Sequence, residues 1–202
     1  MFQDIDCDFL AFSGHKMCAP TGCGVLYLRQ ELLDNIEPTN IGGGTIIDVD
    51  EGAYELEKGH TRFEAGTPAI AEALGLGVVV EYLNTIGIHN IVNHERKLTT
   101  KLFKDLEQIP GVTIYGTDAK NKIALICFNI DGMQPREVSV ALDKSARIMV
   151  RAGHHCALPL IKSIAGKTGT VRASAYFYNT KDDIDMLTRQ VEDIAKHHII
   201  VL

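Results

Sequence analysis

Apolar residues fall along the chain in two patterns, short near-continuous runs and helical stripes. The runs at 6–13 (Asp-Cys-Asp-Phe-Leu-Ala-Phe-Ser) and 23–29 (Cys-Gly-Val-Leu-Tyr-Leu-Arg) read as strands. A polar loop with Gly14, His15, Lys16, Pro20 and Gly22 joins them. Residues 37–66 carry Pro38, Gly42-Gly43-Gly44, Asp48, Asp50, Gly52 and Gly59 with little periodicity, which predicts a long irregular loop. Loops of that length are usually functional. Thr67-Pro68 then opens a helix to about Gly87, since proline suits a first turn. Ile70, Leu74, Val78, Val79, Tyr82, Leu83 and Ile86 ring this helix, so it is predicted to be buried and to connect two packed bodies.

A second helix, over about 89–108, has a cleaner stripe of Ile91, Glu95, Leu98, Leu102 and Leu106. After the Pro110-Gly111 turn, strands are expected at 112–115, 123–130, 147–152 and 170–177, with helices at about 134–144 and 157–163 between them. The last helix starts at Thr180, where Asp183 three residues on resembles a capping box, and carries Ile184, Leu187, Val191 and Ile194 on one face. Residues 88–202 therefore read as a compact α+β body with its own core, and 1–87 as the tail of something else.

Composition narrows the function classes. With 46% hydrophobic and 23% charged residues, the 202-residue chain has a globular composition. A net charge of −6 speaks against a nucleic-acid surface. Apolar runs such as Val78-Val79-Val80 fall far short of the ~20 residues that span a bilayer, and residues 1–15 show no signal-peptide pattern. The five cysteines, Cys7, Cys18, Cys23, Cys127 and Cys156, are an odd number without C-x-x-C spacing, so a reduced, cytoplasmic compartment is expected. Cys7 and Cys127 lie in apolar runs and read as small hydrophobes. Cys18 and Cys23 flank a Pro-Thr-Gly turn, and two further zinc ligands at matching spacing are not found.

Four features carry candidate chemistry. Lys16, at a strand end beside small residues, is either a solvated charge or a partly desolvated amine able to form a Schiff base with a carbonyl cofactor. Gly66-Thr67, in Arg-Phe-Glu-Ala-Gly-Thr-Pro, is either an ordinary capping segment or a helix start whose free N–H groups suit a phosphate. Arg151-Ala-Gly-His154-His155-Cys156 sets a thiol close to an arginine and two histidines, and nearby cations favour the nucleophilic thiolate. A metal site is the poorer reading there, because adjacent residues on extended chain point oppositely. Arg172 alternates with small residues in Val171-Arg172-Ala173-Ser174-Ala175. If it faces inward it needs a carboxylate or phosphate partner; otherwise it meets solvent or a structural acid.

Taken together, Asp-Phe-Leu-Ala-Phe-Ser-Gly-His-Lys-x-x-x-Pro-Thr-Gly-x-Gly-Val-Leu-Tyr, Gly-Gly-Gly, Arg-Phe-Glu-Ala-Gly-Thr-Pro, Arg-x-Gly-His-His-Cys-Ala-x-Pro-Leu and Val-Arg-Ala-Ser-x-x-x-Tyr-Asn-Thr stand in order from Asp4 to about Ile194. This series resembles the SUF-type (group II) cysteine desulfurases, class V aminotransferases of the fold type I pyridoxal phosphate (PLP) architecture. The resemblance implies an α/β fold in which 1–87, with a connecting helix, finish the PLP-binding large domain and its partial sheet, and 88–202 form a complete α+β small domain. It implies that Lys16 holds PLP as a Schiff base and shuttles protons, and that Ser13 and His15 bind its phosphate. Gly66 and Thr67 would reach the phosphate of a dimer partner. Arg172 would clamp the substrate carboxylate, with Arg151 lining the same cleft. Cys156 would attack the sulfur of cofactor-bound L-cysteine, leaving a persulfide and alanine. Sulfur would then pass to an acceptor or scaffold protein for iron–sulfur cluster assembly. The short stretch between Cys156 and Arg172 fits group II better than group I.

Members of that family are roughly twice as long. The resemblance therefore implies an N-terminal half outside these residues that supplies a histidine stacked on the cofactor, an aspartate paired with its ring nitrogen, and further phosphate ligands. Two functional classes follow. In one, the chain is the catalytic C-terminal half of a desulfurase working with a separate N-terminal half. In the other, it is a non-enzymatic module that docks sulfur-acceptor proteins. A third reading is selenocysteine lyase or another class V activity, where the Cys156 motif favours sulfur or selenium.

Overall fold

In the computed structural model, which describes residues 5–116 and 122–201, the chain divides into two compact units, Met1–Ile86 and Gly87–Leu202. The first unit opens with an antiparallel pair, β1 (Phe9–Ser13) and β2 (Gly24–Leu28), registered Phe9 to Leu28 and Ser13 to Gly24. Both strands are shorter than expected. Arg29 pins the open end by pairing with Asp6 and Asp8, each at 2.9 Å.

The expected irregular loop over 37–66 contains a second hairpin, β3 (Ile46–Asp50) with β4 (Ala53–Leu56). Gly52, at φ 87°, takes the left-handed position in its two-residue turn. Most of this hairpin is exposed, and a bulge between Ile46 and Asp48 interrupts its register. The alternation that betrays a half-buried strand is therefore missing. A short 3-10 turn follows at Gly59–Phe63.

Helix α1 (Ile70–Ile86) begins three residues after Thr67. Its expected burial does not hold. Leu76 and Leu83 are buried, yet Leu74 and Val78 are 69% and 66% exposed, and Ile70, Val80 and Tyr82 are exposed as well. Apolar periodicity reports which faces need cover, not which part of the protein supplies it. The β1–β2 pair shares this condition, with Phe9 53% and Leu26 59% exposed.

The second unit is built around an antiparallel sheet of order β5-β6-β8-β7: β5 (Val112–Tyr115), β6 (Leu125–Ile130), β8 (Thr170–Ser174) and β7 (Arg151–Gly153). Helices α2 (Ile88–Glu107), α3 (Pro135–Ala146) and α5 (Lys181–Val201) pack on one face. Leu98, Leu102 and Leu106 of α2, Val138 and Leu142 of α3, and Ile184, Leu187 and Val191 of α5 meet Ile126, Phe128, Ile130, Val171 and Ala173 from the strands. Each large aliphatic side chain buried there contributes about 1.5–3 kcal/mol. Helix α4 (Leu158–Ala165) links β7 to β8.

Capping fixes the helix starts. Thr180 N–H donates to Asp183 Oδ2 at 2.8 Å and Asp183 N–H to Thr180 Oγ1 at 3.2 Å, the expected reciprocal cap. A second box, Gln134 with Glu137, opens α3. The strand expected at 147–152 is paired only over Arg151–Gly153. Arg147, left-handed at φ 56°, closes α3, and 148–150 run on without strand pairing. The strands expected at 123–130 and 170–177 likewise begin or stop two to three residues inside those limits.

One backbone approach fixes the edge of this sheet. Gly169 has φ 87°, and a Cβ there would lie 2.5 Å from Gly153 O. Gly169→Ala is expected to cost more than about 2 kcal/mol, combining left-handed strain with a backbone clash. A markedly lower urea midpoint for the second unit checks this; an unchanged midpoint contradicts it.

Candidate active site

The Lys16 turn is shaped by close packing. Ser13, the last residue of β1, pairs with Gly24, where a Cβ would lie 2.9 Å from Phe12 O. Gly14 is buried; its N–H donates to Cys23 O at 2.9 Å and its carbonyl accepts Ala19 N–H at 3.1 Å. A Cβ on Gly14 would stand 3.0 Å from Cys23 O. The 3-10 turn Gly14–Met17 ends at Cys18, left-handed at φ 70°. Gly75 of α1 lets Pro20 of this loop seat so closely that a Cβ would meet its Cγ at 2.8 Å. Lys16 consequently lines a cleft of about 780 Å³ with Ser13 and the apolar Ile5, Leu10, Ala11, Phe12, Met17 and Val80, and is the one charged residue among them. The Ser13 side chain does not cap the turn it precedes. His15 is exposed and, like Gly66 and Thr67, does not line the cleft.

Gly66 is held by the triple-glycine segment. Thr45, fully buried, accepts Gly42 N–H and donates to Gly42 O at 3.0 and 2.9 Å. Gly66 N–H donates to Gly43 O at 2.8 Å. That N–H is therefore taken up within the loop, contrary to the expectation of a free donor at Gly66. Gly66 has φ 86° and nothing within 4 Å of a would-be Cβ. The neighbouring Arg62 lies over the Phe63 ring at 5.8 Å, with its Nε buried and unpartnered.

The second unit gathers Arg151, Cys156 and Arg172. Arg151 of β7 stands directly opposite Arg172 of β8, and Arg172 opposite Cys127 of β6. These positions alternate with Ile126, Phe128, Val171 and Ala173, which are buried in the core. Like charges directly opposed destabilise a strand pair, and Arg172 Nε is buried with no hydrogen-bond partner. Such a pair calls for an anion. The Arg151 Nη2 donates to Cys156 Sγ at 3.2 Å, a contact that favours the thiolate.

Cys156 sits in a tight turn directly off β7, where Ala157 N–H donates to His154 O at 2.8 Å. Both central residues are left-handed, His155 at φ 54° and Cys156 at φ 63°. For residues other than glycine this costs about 1–3 kcal/mol each. The two histidine rings turn back toward the α4–β8 connection, His154 Nε2 to Lys167 O at 3.1 Å and His155 Nε2 to Thr170 Oγ1 at 2.8 Å. Burial holds the His155 pKa below 6.5, helped by the Arg172 and Arg151 cations and opposed by its contact with Thr170. His155 is thereby held toward its neutral form, and Arg151 is the cation in contact with the thiol. Thr170 and Gly169 were not expected from the sequence; the Gly-Thr pair just ahead of Val171-Arg172 is the only signal of them.

Among the described residues no single helix is long and apolar enough to cross a membrane. Comparison with known proteins gives a consistent match. The family model for aminotransferase class V fits residues 1–187. A probable cysteine desulfurase of Staphylococcus epidermidis is 44% identical over 190 residues, covering 94% of this chain and 46% of that protein. The apo structure of a cysteine desulfurase from Thermococcus onnurineus superposes with a TM-score of 0.92 at 42% identity, covering 97% of this chain and 49% of that one. A solved C-DES mutant with glycine covalently linked to its PLP cofactor gives a TM-score of 0.78 at 25% identity, covering 95% and 47%. The chain spans about half the length of the curated relatives it matches.

The lowered pKa of the half-buried His155 carries a pH signature. Its folded pKa lies below 6.5, so between the two values the unfolded chain binds more protons and stability rises with pH. The contribution is complete above the unfolded pKa and is lost as pH falls through 6.5 toward the folded value. The urea midpoint of the second unit is expected to be lower at about pH 5.5 than at about pH 7.5, with a smaller difference in His155→Gln. An equal difference in the two proteins contradicts the assignment.

Proposed function

Because the chain belongs to the aminotransferase class V family, we propose that it carries the lysine and nucleophile half of a PLP-dependent cysteine desulfurase of the SUF type. The observation that carries this reading is the Arg151 Nη2 to Cys156 Sγ contact at 3.2 Å, beside an Arg172 whose Nε is buried and unpartnered. A thiol beside a cation and an arginine awaiting an anion are what transfer of sulfur from an amino acid requires. The tight turn that holds Cys156, instead of a long loop, supports the group II assignment.

The first unit suits the cofactor, since a single amine in an otherwise apolar cleft is a setting for covalent capture of an aldehyde. PLP, when bound, supplies an electron sink for bonds at the substrate α-carbon. Lys16 holds it through Nζ and then moves protons, while Ser13 and His15 meet the phosphate. Thr67, rather than the occupied Gly66 N–H, serves the phosphate of a dimer partner, with Gly66 leaving room for the approach. Arg172 takes the carboxylate of L-cysteine bidentately, with Arg151 lining the same cleft. The Cys156 thiolate attacks the substrate sulfur: an S–S bond forms, the C–S bond breaks, and the substrate carbon gains the proton. L-cysteine and the Cys156 thiol thus become L-alanine and a Cys156 persulfide, whose outer sulfur passes to an acceptor or scaffold protein for iron–sulfur assembly. The exposed apolar faces of β1, β2 and α1 suit cover by the N-terminal half that the longer relatives have.

Borohydride reduction of the PLP-loaded protein, assembled with such an N-terminal half, is expected to fix the label on the Lys16 peptide and to leave none in Lys16→Ala. Cys156→Ala keeps the label but loses alanine release by more than about 100-fold. A label on another lysine, or alanine release that survives Cys156→Ala, contradicts the proposal.

A further inference from the structure

Two adjacent left-handed residues, neither of them glycine, persist only where their surroundings over-determine them. The turn has its own hydrogen bond, Ala157 N–H to His154 O. Further restraint comes from the connection that leads into β8. Thr170 is fully buried and in register with Gly153, so its hydroxyl is fixed by the sheet. The Gly169–Gly153 approach brings that strand against the base of the turn. The His155 ring reaches inward to Thr170 Oγ1 at 2.8 Å and buries its Nδ1 without a partner, a cost a solvent-facing ring avoids. His154 hooks the same connection through Lys167 O.

We propose that His155 and Thr170 are positioning residues for Cys156: their hydrogen bond clamps the turn in its left-handed form and so keeps the thiol against Arg151. The inference rests on the reading of Cys156 as the sulfur-accepting nucleophile and adds a role for a histidine that touches no reacting atom. Without the clamp, residues 155 and 156 relax toward negative φ. The Cys156 side chain then swings away from the Arg151 guanidinium and behaves as an ordinary thiol.

The test is the pH profile of iodoacetamide alkylation at Cys156, followed by mass spectrometry of its peptide in the full chain. Thr170→Val, which keeps the volume and removes the hydroxyl, is expected to move the midpoint up toward the ordinary thiol value of about 8.5 and to slow alkylation at pH 7 about three- to tenfold. Thr170→Ser is expected to restore the profile. His155→Ala reads the same clamp from the turn side should Thr170→Val not fold. A Thr170→Val profile matching the parent, or a Thr170→Ser profile as displaced as that of Thr170→Val, overturns the clamp. Arg151→Gln separates the two levels: if it displaces the midpoint and Thr170→Val does not, only the clamp fails. If Arg151→Gln leaves the midpoint unmoved, the Arg151-activated nucleophile itself fails.

Discussion

Two guanidinium groups opposed across neighbouring antiparallel strands are the constraint from which the second unit's chemistry follows. Arg151 and Arg172 are in register on β7 and β8, an arrangement worth up to about 1 kcal/mol of repulsion on its own. The sheet tolerates it because the core on its other face, from Ile126 through Val191, is closely packed. What relieves it is negative charge. The Cys156 sulfur accepts a hydrogen bond from Arg151, and a carboxylate at Arg172 would supply negative charge. Under the function proposed above, the same repulsion favours a ligand bearing a carboxylate next to a reactive sulfur.

The two units divide their tasks by the way each spends apolar surface. The second encloses its leucines, isoleucines and Phe128 between three helices and a sheet, which gives the cysteine turn a rigid base. The first has few buried side chains and leaves hydrophobic faces of β1, β2 and α1 exposed. Its precision is instead local, set by backbone approaches at Gly14, Gly24 and Gly75 that fold the Lys16 turn tightly. Exposed faces of that extent mark a surface made to be covered, in keeping with a chain that spans about half the length of its relatives.

Much of this was legible in the sequence where burial imposes a period or where a cap has a fixed spacing. The α2 stripe placed Ile91, Leu98, Leu102 and Leu106 in the core, and Thr180 with Asp183 marked the start of α5. The β3–β4 hairpin was hidden because its largely exposed strands have no buried face to impose alternation. Helix α1 misled for the opposite reason, its apolar ring reporting a need for cover that these residues do not meet. At the site, Lys16, Cys156 and the arginines stood out by residue type and motif. The histidines were read as cations for the thiol, yet His155 turns inward, has its pKa lowered chiefly by burial and binds Thr170. That contact joins residues far apart along the chain through strand register, which local sequence does not encode.

Everything proposed for the second unit turns on Cys156, activated by Arg151, accepting sulfur from L-cysteine. That transfer is tested most directly by the mass of the Cys156 peptide after the cofactor-loaded protein, assembled with its N-terminal half, has met L-cysteine and been alkylated without reductant. One additional sulfur is expected on Cys156, formed together with alanine and much diminished in Arg151→Gln. Alanine formed with no extra sulfur on Cys156, or with the extra sulfur on Cys127 or another cysteine, would contradict it.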